Sequence, residues 1–439
     1  LLYKDIFRKK NRKTEQISRI TMLEADAKLK FLFHAGDGRI PPYLAGREQE
    51  EKYFQDSVDL LIRKYPSDQN MIIYGPRGNG KTALLRYLQE ATLKAVGDKL
   101  DILWVTPSQF KDLAQLAGLI VGNDQGLFRK ALKLFDDVTA SANIGMASVS
   151  TSLSHTTEML ALQNLLSEKS QKKPFILIID EAHMLPPDIG YVLLNASQNV
   201  RAENFPFFLV LAGTPNLETA LSQASASFWD KSKIFPLGRL SVDDAHKALS
   251  KPLESCQVAS VEEALVEVID RAHCYPYFIQ IWGNCIAGQL AMTGSRRVTM
   301  ETLSTVKDEV IADCSNIYIL RHNELDKMGL VPLAADIGDA FAENDNQPIQ
   351  VHELADKVRV FLQKQGESAT HDTIQVTMQK LLHIGYIWKI SVTDKTEEEV
   401  PLLCYEPGIP SLMEFIRRQR RPKAEMAVIL ERYQNSTMN

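Results

Sequence analysis

Cysteine is scarce in this chain, and no two cysteines stand close enough to clamp anything. The 439 residues include five, Cys256, Cys274, Cys285, Cys314 and Cys404. The number is odd and none stand in paired metal-ligand spacing, so neither a disulfide framework nor a zinc cluster is readable. Reduced thiols in a cytoplasmic protein are the expectation. Long apolar runs are missing too. No stretch approaches the roughly 20 residues that cross a bilayer, and Leu1-Leu2-Tyr3-Lys4 is interrupted by basic residues too soon for a secretory leader. Neither sign of charge dominates: 50 Lys plus Arg against 55 Asp plus Glu give a net charge of −5, an average balance for a globular chain rather than a basic coat for polyanions. No nuclease, protease or transferase constellation is visible. What remains is length for two or three domains with ample apolar residues for real cores.

Against that background, the stretch Gly75-Pro76-Arg77-Gly78-Asn79-Gly80-Lys81-Thr82 stands out. It follows the apolar run Met71-Ile72-Ile73-Tyr74 and precedes Ala83-Leu84-Leu85-Arg86-Tyr87-Leu88, so a strand, a glycine loop and a helix meet there. This is a phosphate-binding P-loop in its required context. Glycines let the backbone curl until several N–H groups point inward at phosphates, and the helix N-terminus adds partial positive charge. Lys81 is expected to reach the β and γ phosphates, and the Thr82 hydroxyl to hold Mg²⁺. Residues Gly75 to Ala83 therefore make up the expected nucleotide cradle, with ATP and Mg²⁺ as its cofactors.

A site that hydrolyses also needs a metal-holding carboxylate and a base. Pro174-Phe175-Ile176-Leu177-Ile178-Ile179-Asp180-Glu181 supplies both at the end of an apolar run that reads as a central strand buried on both faces. Asp180 is expected in the Mg²⁺ shell, and Glu181 is expected to orient and deprotonate water. A third strand, Phe207 to Gly213, ends at Thr214-Pro215-Asn216. Thr214 is read as a polar sensor of the γ-phosphate, with Asn216 in reserve. His183, close behind the carboxylate pair, has no second ligand beside it in sequence and reads as a helix cap or an interface residue.

With these motifs placed, the chain resembles the AAA+ ATPases, most similarly the Orc-type initiator and transposition-helper branches. Pro42 to Glu48, with Arg47 in it, resembles the segment that such proteins set near the adenine, and Ile179-Asp180-Glu181-Ala182-His183 resembles their second nucleotide motif. Ile234 to Ser241 resembles the start of a helical lid, and Cys274 to Gln280 its later segment. The resemblance implies an ATPase that works as a homo-oligomer on DNA or with a separate effector protein. Two features depart from it. The lid segment offers Tyr277 and Phe278 where a sensor arginine is common, with Arg271 a turn earlier. Where initiators place an arginine finger, the chain reads Trp229-Asp230-Lys231-Ser232-Lys233, leaving Lys231, Lys233 or Arg239 to serve.

The expected fold class is α/β: a P-loop NTPase parallel sheet with helices on both faces, a helical lid, and an α+β winged-helix-like C-terminal domain. The expected boundaries are 1–40 for a basic N-terminal arm, 41–237 for the nucleotide-binding core, 238–301 for the lid, 302–423 for the winged-helix-like domain, and 424–439 for a tail. Between the second strand and the Asp-Glu strand lies an insert whose core, Ala142 to Ser154, alternates weakly with period two and reads as either a projecting hairpin or a loop. Further on, Asn323 to Ala340, His352 to Gln363 and Ser368 to His383 read as three helices, and Tyr386 to Val392 and Leu402 to Tyr405 as a two-stranded ribbon. In a winged helix the third helix enters the major groove. Here it carries few cations, chiefly His371 and Lys380, and the wing tip is Glu397-Glu398-Glu399. Duplex DNA could instead meet the arm from Lys4 to Arg19, the insert, or the run Arg417 to Lys423. The rival reading is a STAND-like signalling or defence NTPase that binds protein partners and no DNA.

Overall fold

The computed structural model describes residues 27–122, 124, 126, 147–392 and 402–419. Five short strands form the larger sheet: β1 (Asn70–Tyr74), β2 (Asp101–Val105), β3 (Phe175–Ile179), β4 (Phe207–Gly213) and β5 (Ser232–Pro236). They run parallel in the order β2-β3-β4-β1-β5. β3 and β4 are buried at every position, as unbroken Phe, Ile, Leu and Val runs require when helices cover both faces. Side chains alternate between those faces. Phe208 turns toward α1 (Glu48–Ile62), where its ring lies 5.6 Å from that of Phe54. Leu209 and Leu211 turn the other way, into a core shared with α3 (Leu113–Val121), α4 (Ala147–Lys172), α5 (Pro187–Ala202) and α6 (Leu217–Ala224). Between α1 and α3, the P-loop runs into α2 (Lys81–Val96).

Strand order is what builds a site. Tyr74 pairs with Gly213, and Ile179 with Leu211, so the carboxyl ends of β1, β4 and β3 lie side by side at a spacing of about 4.8 Å per strand. The loops that leave these ends begin at Gly75, Thr214 and Asp180. Ligands of open α/β sheets bind along this edge.

The short helix α7 (Ala226–Asp230) precedes β5, and after β5 the chain becomes mostly helical: α8 (Val242–Ser255), α9 (Glu262–Ala272), α10 (Pro276–Thr293) and α11 (Met300–Lys327), with a small parallel pair β6 (Ala259–Ser260) and β7 (Arg297–Val298). Ser241 caps α8 by accepting from the Asp244 N–H at 3.1 Å, the acidic helix start legible in sequence. The C-terminal elements are α12 (Val331–Glu343), β8 (Ile349–Gln350), α13 (Val351–Lys364), α14 (His371–Ile384), β9 (Ile387–Val392), β10 (Leu402–Pro407) and α15 (Pro410–Gln419). Their antiparallel sheet has the order β8-β10-β9. The chain divides into two compact units. Among the described residues, one holds Gly38–Ile40 and Arg47–Gly238; the other holds those up to Asp37, Pro41–Gly46, and those from Arg239 onward. In the second unit, Leu249 of α8, Ile279 and Ile286 of α10 and Leu333, Phe341 and Leu381 of the C-terminal elements belong to one continuous core.

Three local expectations need correction. The helix expected from Asn323 to Ala340 is two helices: Gly329, at φ 67°, ends α11, and Pro332 opens α12. A left-handed glycine closes a helix, and a proline at the first turn starts the next. The ribbon of two strands gains a third, β8, which pairs Ile349 with Tyr405. The insert's described part, residues 147–154, is the first two turns of α4 rather than a hairpin strand. Small Ser, Thr and Ala residues carry no firm period of their own, and a helix nucleated by the buried Leu162, Leu165 and Leu166 extends back through them. Residues 142–146, the arm from Lys4 to Arg19, the acidic wing tip and residues 420–423 lie outside the described residues.

Gly408 offers a direct check on the C-terminal elements. Its N–H donates to Tyr386 O at 3.0 Å, and an added Cβ would lie 2.1 Å from Gly385 O. Backbone cannot yield that distance cheaply. Gly408→Ala is expected to destabilise the fold by roughly 2 kcal/mol or more, seen as a lowered Tm; an unchanged Tm would refute the close approach.

Candidate nucleotide site

The P-loop is shaped by contacts with its own unit. Gly78 and Gly80 take φ of 92° and 82°, the left-handed region that glycine enters without strain. Gly75 is needed for another reason: a Cβ there would stand 2.2 Å from Leu237 O, where the chain leaves β5. Asn79 braces the same place, its Nδ2 donating to Leu237 O at 2.9 Å, and Arg47 Nη2 donates to Asn79 O at 3.2 Å. Arg47 is thus a buried strut of the loop, a role that its sequence position did not reveal. Pro76 and Ala83 are buried within the turn, and Arg77 is exposed at its tip. Gly80 is the N-cap of α2 and supplies no side-chain acceptor. The first N–H groups of that helix are therefore not answered by a cap, which suits an anion.

Lys81 is buried, and its Nζ donates to Gly75 O and Pro76 O, each at 2.8 Å. Burial draws its pKa from 10.5 down to about 8, while the carboxylates of Glu181 and Asp180 resist that fall. Across the sheet edge, Thr82 Oγ1 donates to Asp180 Oδ2 at 2.8 Å, and Asp180 Oδ1 accepts from the Glu181 N–H at 2.9 Å. Burial raises the Asp180 pKa, and those two hydrogen bonds oppose the rise. Two oxygen donors held together suit Mg²⁺, which keeps waters and phosphate oxygens as its other ligands. Among the described residues, no cluster of three or more His, Cys, Asp or Glu offers a dedicated metal cage.

Glu181 stands at φ 55°, a left-handed conformation rare for glutamate. Its carboxylate is half exposed. Thr214 is 1 % exposed, and its Oγ1 has no hydrogen-bond partner among the described residues. Asn216 caps α6 by position, without a side-chain bond. His183 fills the space between: its Nδ1 accepts from the Thr214 N–H at 3.4 Å, and its Nε2 lies 3.5 Å from Glu181 Oε2. The sequence reading assigned it no part in the site.

The cations proposed for sensor or finger duty have other neighbours. Arg271 Nε donates to Glu267 at 2.6 Å and its guanidinium lies 5.9 Å from the Trp282 ring centroid. Arg239 Nη2 meets Glu406 Oε2 at 2.5 Å. Lys233 Nζ lies 5.9 Å over the Phe235 ring, and Lys231 is exposed after α7.

Parallel order, P-loop and carboxylate strand together define a P-loop NTPase fold. Residues 65–221 match the family model described as an AAA domain. Similar solved structures include Cdc6p from Pyrobaculum aerophilum (14 % identity, 88 % of this chain and 97 % of that one, TM-score 0.43). They also include the Orc1 protein of Aeropyrum pernix in complex with DNA (15 %, 88 % and 95 %, 0.41) and a Walker-type ATPase of Pyrococcus abyssi (14 %, 85 % and 96 %, 0.48). At these identities and scores they assign neither activity nor partner to this chain. A comparison with curated proteins finds no match. No helix among the described residues is long and apolar enough to cross a membrane.

The buried ammonium generates a prediction. Because burial opposes the charged form, Lys81 costs the fold on the order of 3 kcal/mol at pH values below about 8. That cost fades as pH climbs from about 8 toward 10.5. A bound polyphosphate would offset the same cost. Lys81→Met is therefore expected to hold a nucleotide-free Tm close to or above the wild type at neutral pH, while the rise in Tm on adding ATP disappears. Persistence of that rise would remove Lys81 from the site.

Proposed function

We propose that the chain is a Mg²⁺-dependent ATPase of the AAA+ kind that works as a switch, assembling on DNA or on itself in an initiator-like or transposition-helper-like role. The observation that carries the ATPase reading is the Thr82 to Asp180 hydrogen bond of 2.8 Å, which joins the phosphate loop to the carboxylate strand beside Glu181 and Thr214. In this reading Lys81 and the N–H groups of the loop hold the β and γ phosphates. Thr82 and Asp180 hold Mg²⁺, which when bound neutralises charge between those phosphates. Glu181 takes a proton from water as its oxygen attacks the γ-phosphorus and the bond to the β-bridging oxygen breaks, giving ADP and phosphate. The Thr214 hydroxyl, buried and without a described partner, donates to a γ-phosphate oxygen.

A specific observation favours the second reading, a switch governed by a protein partner. Two arginines of α15 are engaged locally: Arg417 Nε meets Asp339 Oδ1 at 2.6 Å, and Arg418 pairs with Glu414. The exposed cation on α14 is Lys380, with His371 at its start. A helix that carries one lysine and one histidine toward solvent neutralises few phosphates.

Turnover of ATP at low salt, with and without duplex DNA, separates the two. Glu181→Gln is expected to retain ATP binding and lose at least a hundredfold in kcat; wild-type turnover in that variant would remove Glu181 from its role. Stimulation by DNA that fades with rising salt supports assembly on DNA, and indifference to DNA supports the partner-governed switch.

A further inference from the structure

We propose that His183 is a positioning residue that ties the γ-phosphate sensor to the water-activating carboxylate. The inference rests on the ATPase reading above. Its geometry is local. After Glu181 bends into the left-handed region, a single 3₁₀ turn, Ala182–Met184, folds the chain back, with the Met184 N–H donating to Glu181 O at 2.9 Å. This turn drives the His183 side chain inward, to 1 % exposed. The ring lies against the end of β4, where a Cβ on Gly213 would come within 3.2 Å of His183 Nδ1. Gly213 thus makes room for an imidazole as well as ending a strand.

The two ring nitrogens then have different duties. Nδ1 accepts from the Thr214 backbone N–H, and a ring nitrogen that accepts carries no proton. The neutral ring must therefore hold its hydrogen on Nε2, the atom that lies 3.5 Å from Glu181 Oε2, within reach of the carboxylate but not hydrogen-bonded to it in this geometry. One side of the imidazole reads the position of the residue whose hydroxyl meets the γ-phosphate, and the other offers a donor to the carboxylate that must face the water. Glu181 itself is only half buried. A shift of Thr214 on meeting a phosphate moves the ring, and the ring moves the carboxylate. Because the link is a donor to a carboxylate, it sets orientation without taking part in proton transfer.

Asparagine and glutamine dissect this arrangement. In His183→Asn the side-chain oxygen stands where Nδ1 was and keeps the Thr214 contact, but nothing reaches Glu181. In His183→Gln the amide N–H extends to the Nε2 position and keeps the Glu181 contact. With the full chain and Mg²⁺-ATP, His183→Asn is expected to lower kcat about ten- to a hundredfold with KM within about threefold of wild type. His183→Gln is expected to recover most of that loss. Combined with Glu181→Gln, His183→Asn should add almost nothing, because it acts through the same carboxylate. Wild-type or raised kcat in His183→Asn, equal losses in both variants, or full additivity with Glu181→Gln would each overturn the proposal. Should Glu181→Gln itself turn over normally, the ATPase reading of Glu181 falls first. If that variant is inactive while His183→Asn is normal, only this inference falls. A measurement free of turnover completes the test: ¹⁵N imidazole shifts of the wild-type chain at about pH 8, where a histidine is neutral, should show His183 protonated on Nε2. Protonation on Nδ1 would refute the tie to Thr214 directly.

Discussion

Thr82 Oγ1 and Asp180 Oδ2 are 98 positions apart in the chain and 2.8 Å apart in space, and the nucleotide site depends on that closure. It exists because β4 lies between β1 and β3, so that the loop after β1 must reach across one strand to meet the end of β3. A change in strand order would leave a P-loop and an acidic strand with nothing to share. The packing that fixes the order is therefore part of the site. β3 and β4, buried throughout, cannot slip in register by one residue without turning Leu177, Ile179, Leu209 and Leu211 out of their core.

Held at that edge, the charges are arranged for an anion that is not protein. Lys81 is a buried cation whose nearest acceptors are two backbone carbonyls rather than a carboxylate partner. Asp180 is buried and its acid form is favoured by that burial. The first turn of α2 is uncapped by any side chain. Each of these costs stability if considered alone, and a polyphosphate with its divalent cation would relieve all three together. Stability is given up at one place in the fold, and that place is where the loops converge.

Much of this was legible because it is local in sequence. A glycine loop between an apolar run and a helix, and a carboxylate pair ending an apolar strand, state their chemistry within ten residues, and the strands fell where the apolar runs were. What was not legible is long-range or conformational. Arg47 reads as a residue near the base, but it braces Asn79 O, and only the close passage of the chain at Leu237 explains why Gly75 and Asn79 are required there. The positive φ of Glu181 has no signal in its residue type. His183 was passed over because it has no neighbouring ligand in sequence; its partners are one turn behind it and 31 positions ahead. The misjudged helix from Asn323 to Ala340 had a signal, Gly329 followed by Pro332, and apolar periodicity on both sides masked it.

The distribution of arginine bears on how such a site is controlled. Phosphoryl transfer needs positive charge beside the equatorial γ-oxygens at the moment of reaction, and a planar guanidinium supplies it better than an ammonium. Arg239, Arg271, Arg417 and Arg418 are each engaged with a carboxylate within a few ångströms in their own unit. An arginine so held is stabilised where it is, and moving it to a phosphate means leaving that carboxylate without its partner, a loss of several times the thermal energy when partly buried. Arg239 with Glu406 is the most enclosed of these pairs, at 27 % and 14 % side-chain exposure, and so the least suited to being withdrawn. These four arginines serve to hold their own unit together, and the ATPase reading proposed above gives none of them a part at the phosphate.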